Sequence, residues 1–103
     1  MMSFTKVTDI GDILPGTMKS FKVKNVAILV ANIEGNYFAM SSECTHAGVD
    51  LSKGRLSQNI VTCPHGGSQY DVTTGACKKE PAFKNAEVYN VKVDQGGNIW
   101  VKV

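Results

Sequence analysis

Cys44-Thr45-His46, sixteen intervening residues, then Cys63-Pro64-His65-Gly66-Gly67-Ser68-Gln69-Tyr70-Asp71: these two patches decide how the chain is read. They hold both histidines and two of the three cysteines. Thiolate and imidazole are the side chains that most readily bind iron and zinc. Each patch offers one Cys and one His across a single residue, with glycine close by. That pattern points to two loops presenting Cys44, His46, Cys63 and His65 to one metal centre.

The rest of the chain sets the frame for those loops. Its 103 residues make one domain, spanning 1–103. The formal charge of +2 is close to balanced, and no basic run points to nucleic acid. The longest apolar stretch, residues 26–33, is broken by Asn32 and is far too short to span a membrane. The start, Met1-Met2-Ser3-Phe4-Thr5-Lys6, lacks the basic and apolar regions of a secretory signal, and three cysteines do not suggest a disulfide framework. A cytoplasmic monomer is the expectation.

Short strands separated by turns fill the sequence. Residues 4–9 read as a strand, followed by a turn over 11–16. Residues 17–23 alternate, with neither face purely apolar. Residues 26–33 are rich in β-branched side chains. Glu34-Gly35-Asn36 is a hairpin signal leading into 37–40. Residues 59–62 enter the second patch and 69–72 leave it, and Thr73-Thr74-Gly75 turns the chain. Residues 87–93 and 98–103 form a last hairpin across Asp94-Gln95-Gly96-Gly97. No amphipathic helix, repeat or linker is evident. The expected class is all-β, an antiparallel sandwich or barrel, with both Cys/His patches on loops between strands.

At these residues the chain resembles the Rieske-type [2Fe–2S] ferredoxins, whose pattern is C-x-H, about sixteen residues, then C-x-x-H-G-S-x-[F/Y]-D. Cys44-Thr45-His46 with Ala47-Gly48 matches the first half. Cys63-Pro64, Gly67-Ser68-Gln69-Tyr70-Asp71 and Thr74-Gly75 match the second. Asp9-Ile10, Leu14-Pro15-Gly16 and Tyr37-Phe38-Ala39 extend the likeness over the whole chain. The resemblance implies a Rieske-type β-sandwich or barrel with a small inserted cluster-binding subdomain, about 40–71. One departure stands out. The family's second ligand histidine falls on Gly66, while His65 occupies the preceding slot. Either His65 ligates through a shifted loop or the fourth ligand is missing.

The resemblance places Cys44 and Cys63 on one iron and His46 on the other, with two bridging sulfides between. Neutral imidazole leaves such a cluster less negative than four thiolates. Potentials of about −150 to +300 mV result, against roughly −400 mV for plant-type ferredoxins. By the same resemblance Ser68 donates to a bridging sulfide and Tyr70 to a cysteine sulfur. Gly48, Pro64, Gly66 and Gly67 serve loop geometry. The extra disulfide of respiratory-complex Rieske proteins has no counterpart, because its positions are Val49 and His65.

The function implied is a one-electron carrier between a reductase and an oxygenase or other terminal enzyme, and not an enzyme by itself. Two other readings stay open. In one, Cys44, His46, Cys63 and His65 hold a single iron or zinc ion tetrahedrally, or an incomplete cluster. In the other, the chain keeps the fold without a cluster, which the three retained ligand matches argue against. The plain readings are these: Cys77 is a free thiol, Trp100 is core, Asp71 closes a turn, and Lys53, Arg55, Lys78 and Lys79 form a solvated face. Docking of Lys53 and Arg55 to an acidic partner is the functional alternative for that face.

Overall fold

The computed structural model describes residues 3–46 and 48–103, so Ala47 of the first patch and the initial Met1-Met2 lie outside the described residues. Four strands come first: β1 (Thr5–Asp9), β2 (Met18–Val23), β3 (Val26–Ile33) and β4 (Asn36–Ser41). Four three-residue strands follow: β5 (Arg55–Ser57), β6 (Ile60–Thr62), β7 (Gln69–Asp71) and β8 (Cys77–Lys79). β9 (Val88–Val93) and β10 (Asn98–Lys102) close the chain. The large sheet runs β1-β10-β9-β4-β3-β2 and the small one β5-β6-β7-β8. Every pairing is antiparallel. The edge strands β1 and β2 also touch, so the large sheet curls into a near-barrel. The helical content among the described residues is two single 3-10 turns, Ile10–Asp12 and Leu51–Lys53. No helix among them is long and apolar enough to cross a membrane.

β3 explains why the middle of the chain reads as a continuous apolar run. In a strand, successive side chains point to opposite faces. Ile28 and Val30 face the barrel interior with Val23, Ala39, Ile99 and Val101. Leu29 and Ala31 face the other way and pack with Met40, Leu51, Val61, Tyr70 and Val72 beneath the small sheet. A strand buried on both sides has no polar face to show. Each large side chain so buried contributes roughly 1.5–3 kcal/mol. The one polar residue in the run, Asn32, is buried but fully engaged. Its Nδ2 donates to Ile13 O at 2.8 Å and to Tyr37 Oη at 3.1 Å, and its Oδ1 accepts from Gly35 N at 2.7 Å. That last bond closes the two-residue hairpin turn Glu34-Gly35, whose φ values of +55° and +93° are those of the tight turn favoured between twisted strands.

Two features depart from the sequence reading. β5 and β8 are strands where none was assigned. Each is three residues long and mostly polar, too short to show a period of two. Trp100 is not core: it is half-buried, while its neighbours Ile99 and Val101 are fully buried on the inner face of β10. Strand alternation puts residue 100 on the opposite side, where its indole Nε1 donates to Asp94 Oδ2 at 2.9 Å.

Asp94 organises the β9–β10 turn. It also accepts from the backbone N–H groups of Gly96 and Asn98, at 2.9 Å each, and from Asn98 Nδ2 at 3.1 Å. These donors favour the carboxylate and pull its pKa from 3.8 down to about 2, the Asn98 backbone bond and the Trp100 bond leading. A depressed folded-state pKa means stabilisation that is present above pH 3.8 and lost as pH falls toward 2. Acid titration followed by Trp100 fluorescence should show this loss, and Asp94→Ala should remove that part of the pH dependence.

Candidate metal centre

Both patches become tight loops closed at their bases. After β4 the chain bridges Glu43 to Asp50. Cys44 N–H donates to Val49 O at 3.0 Å and Gly48 N–H to Cys44 O at 2.8 Å. Gly48 has a φ of +70°, which lets the loop turn back. The second loop springs from the β6–β7 hairpin, where Thr62 pairs with Gln69. Cys63 N–H donates to Ser68 O at 2.7 Å, and Gly66 and Gly67, at φ +91° and +81°, turn the tip. Each loop thus buries its cysteine at the base, both about 2 % exposed. His46, His65 and Pro64 stand exposed toward the tips. Gly54 lets the start of β5 pass under the second loop, since a Cβ there would collide with Thr62 O and crowd Pro64 Cδ.

The two thiols meet at the loop bases. Cys63 and Cys44 are close enough to hydrogen-bond side chain to side chain. Burial is the largest cause raising the Cys63 thiol above its ordinary pKa, and Cys44 raises it further, while the His65 N–H works the other way. That N–H reaches Cys63 Sγ at 3.4 Å. The raised pKa keeps the Cys63 proton in place at neutral pH; a bound metal displaces thiol protons.

Tyr70, from β7, links the second loop to the first. Its ring is fully buried. Its hydroxyl lies 3.4 Å from Cys44 Sγ and 2.8 Å from Thr45 Oγ1, and accepts from Thr45 N–H at 3.0 Å. Thr45 Oγ1 donates its own proton to Lys84 O at 3.0 Å. The Tyr70 proton is therefore left for Thr45 Oγ1 or the sulfur. Burial, then Cys44, pushes the phenol pKa up, which keeps that proton in place.

A third segment, residues 80–86, completes the site and has no signature in the sequence. Ala82 N–H donates to the fully buried Ser68 Oγ at 2.9 Å, Lys84 O receives the Thr45 bond, and Pro81 lies over Gly66. Cys77, partly buried in β8 just before this segment, donates to Ala82 O at 3.0 Å.

The structure therefore brings Cys44 and Cys63 together and holds Ser68 and Tyr70 against the same loops. A Cβ built on Gly66 would lie 3.9 Å from His46 Cε1, so position 66 lies near His46. Among the described residues no three His, Cys, Asp or Glu side chains gather to hold one metal ion, and His65 joins no such group. Tested against a [2Fe–2S] group, which takes two protein ligands per iron, the residues fit on the cysteine side. Of the two imidazoles, His46 lies near position 66, and both stand exposed toward the loop tips.

The Rieske [2Fe-2S] domain family matches residues 3–92 of the chain. The ferredoxin component of biphenyl 2,3-dioxygenase from Rhodococcus jostii (strain RHA1) is 36% identical over 93 residues, covering 90% of this chain and 87% of that protein. The ferredoxin of carbazole 1,9a-dioxygenase from Nocardioides aromaticivorans IC177 superposes with a TM-score of 0.92 at 28% identity, covering 96% of each chain. A ferredoxin bound to the oxygenase of a carbazole 1,9a-dioxygenase superposes at 0.91 and 27%, covering 99% of this chain and 94% of that one.

This chain belongs to the Rieske [2Fe–2S] family. Within it, the chain falls with the ferredoxin components of dioxygenase systems, which are electron carriers rather than enzymes in their own right.

Tyr70→Phe removes the hydroxyl that joins the loops and leaves the Thr45 N–H without its acceptor. A loss of about 0.5–1.5 kcal/mol is expected for such a hydrogen bond. Thermal unfolding followed by circular dichroism should show a midpoint lower by several degrees.

Proposed function

We propose that this protein is a cytoplasmic one-electron carrier that passes electrons from a reductase to the terminal oxygenase of an aromatic-ring dioxygenase system. Cys44 and Cys63 hold one iron of its cluster and His46 the other. The observation that carries this reading is the pair of adjacent, buried thiols at the bases of two loops with His46 exposed above them. When bound, the [2Fe–2S] group supplies a reversible one-electron change. The chain's own residues do the rest. Burial of Cys44 and Cys63 keeps water from the thiolate side. Tyr70 and the His65 N–H present hydrogen bonds to sulfur, which raise the potential. Exposure of His46 leaves the redox edge open to a partner. The gathering of thiols apart from imidazole suits two irons better than a single tetrahedral ion.

Iron and acid-labile sulfide in anaerobically purified protein test this reading. Two of each per chain, with reversible one-electron reduction, are expected, together with turnover when the protein replaces the ferredoxin in a reconstituted biphenyl 2,3-dioxygenase system. One metal ion without sulfide would replace it with the mononuclear Fe or Zn reading. His65→Ala separates the ligand assignments: an unchanged visible spectrum marks His65 as a bystander, and bleaching marks it as the fourth ligand.

Docking is assigned to the same edge. Phe83 is 93% exposed, yet its segment is tied down on both sides by the Ala82–Ser68 and Lys84–Thr45 bonds. A fixed, exposed aromatic beside a redox centre is suited to anchor in an apolar pocket. The exposed Lys84, Lys78 and Lys79 nearby favour an acidic rim around that pocket. Phe83→Ser should raise the carrier concentration needed for half-maximal oxygenase turnover several-fold, with cluster content and visible spectrum unchanged.

A further inference from the structure

The outer face of β1, β10 and β9 carries charge that the loops and their cysteines do not use. Strand register sets the row: Lys6 of β1 pairs with Trp100 of β10, and Trp100 with Lys92 of β9. Lys102, further along β10 on the same face, pairs with Asn90, so Lys92 is its diagonal neighbour. Diagonal pairs lie about 7–8 Å apart, within reach of long side chains. Both ammonium groups come over one ring: Lys92 Nζ is 5.0 Å and Lys102 Nζ 5.6 Å from the centroid of Phe4. The electron-rich ring face thus gathers two like charges, and Lys6 adds a third across Trp100.

No carboxylate balances them. Among the described residues the one ion pair joins Lys19 to Asp12. Asp9, in β1, accepts from Gly11 N–H, and Asp94 is taken up by Gly96, Asn98 and Trp100. Val91, Ile99 and Val101 fill the barrel side of these strands, so the lysines have no inward refuge. The three strands give no residue to the core beneath the small sheet, so the face is separate from the loop edge. Like charges held side by side repel, and carboxylates brought by a partner relieve that repulsion. We propose that the outer face of β1-β10-β9 is a docking surface for a protein partner that presents a cluster of Asp and Glu side chains. Ammonium groups already drawn onto Phe4 lose less freedom on pairing than free lysines do. Half-buried Trp100 gives the row an apolar centre between Lys6 and Lys92. A nucleic-acid strand suits the face less well, because base stacking needs an open aromatic face and the Phe4 ring is occupied by its lysines. One consequence rests on the carrier reading above: a partner held here leaves the loop edge free to exchange electrons.

The test uses ¹⁵N-labelled protein of known iron and sulfide content in low-salt buffer, with a hexaglutamate peptide as the probe. Signals of Lys6, Lys92, Lys102 and the Trp100 indole N–H should shift saturably, and sodium chloride should reverse the shifts. Hexaglutamine should leave them in place. Lys92→Gln with Lys102→Gln should weaken peptide binding several-fold, whereas Lys78→Gln with Lys79→Gln should not. Lys6→Gln, on the other side of Trp100, should weaken it too and stands in if the double variant fails to fold. Absence of saturable shifts, or shifts confined to Lys78, Lys79 and Lys84, would overturn the inference. Tighter binding of an oligothymidylate at the same residues would also overturn it and make the face a nucleic-acid surface. Failure of the carrier reading would show separately, as protein without sulfide, and would leave the peptide result standing.

Discussion

The Tyr70 hydroxyl is the contact on which the site depends. Two loops separated by sixteen residues have no reason to stay in register unless something joins them. Tyr70 roots its ring in the core beneath the small sheet and places its oxygen against both the backbone and the side chain of Thr45. The same oxygen lies on Cys44 Sγ, so the geometry that fixes the first loop also sets the polarity around its sulfur. Its partner Thr45 passes the chain of bonds on to Lys84, and Ser68 holds the same segment through Ala82. Three stretches of chain are thereby locked to one another around two thiols.

The scaffold beneath is set by the double burial of β3. Its even-numbered apolar residues fill the barrel, and its odd-numbered ones form the floor of the small sheet. One strand thus belongs to two cores, and the subdomain that carries the loops rests on the barrel through side chains rather than through a flexible linker. This matters for an electron carrier. A stiff mount keeps the ligands from reorganising when charge changes, while the exposed loop tips remain free to meet a partner.

The site was legible to different depths. Cys44 and Cys63 could be picked out because metal-ligand chemistry restricts residue types and spacing, Ser68 and Tyr70 only through the family resemblance, and the structure gathers these four around the loop bases. Gly66 could be noticed as a departure, but not what it faces: only the folded loops put position 66 beside His46 and under Pro81. The 80–86 segment was invisible. Its contacts to the site run mainly through backbone groups, Ala82 N–H and Lys84 O, and backbone groups leave no mark on residue identity.

The fold divides in a similar way. Residues 26–33 could be read as a strand because β-branched residues dominate them, and the Glu34-Gly35 turn because its conformation selects glycine. The run of short strands and turns pointed to an all-β domain, and the clustering of the two Cys/His patches pointed to a metal centre on its loops. Tertiary structure alone decided the three-residue strands β5 and β8, whose polar residues pair only because β6 and β7 stand beside them. It alone turned Trp100 outward onto Asp94, since alternation fixes two faces but not which of them meets the core. Local sequence sets what a segment can do. Which face is buried, and which backbone groups find partners, depends on residues far away in the chain.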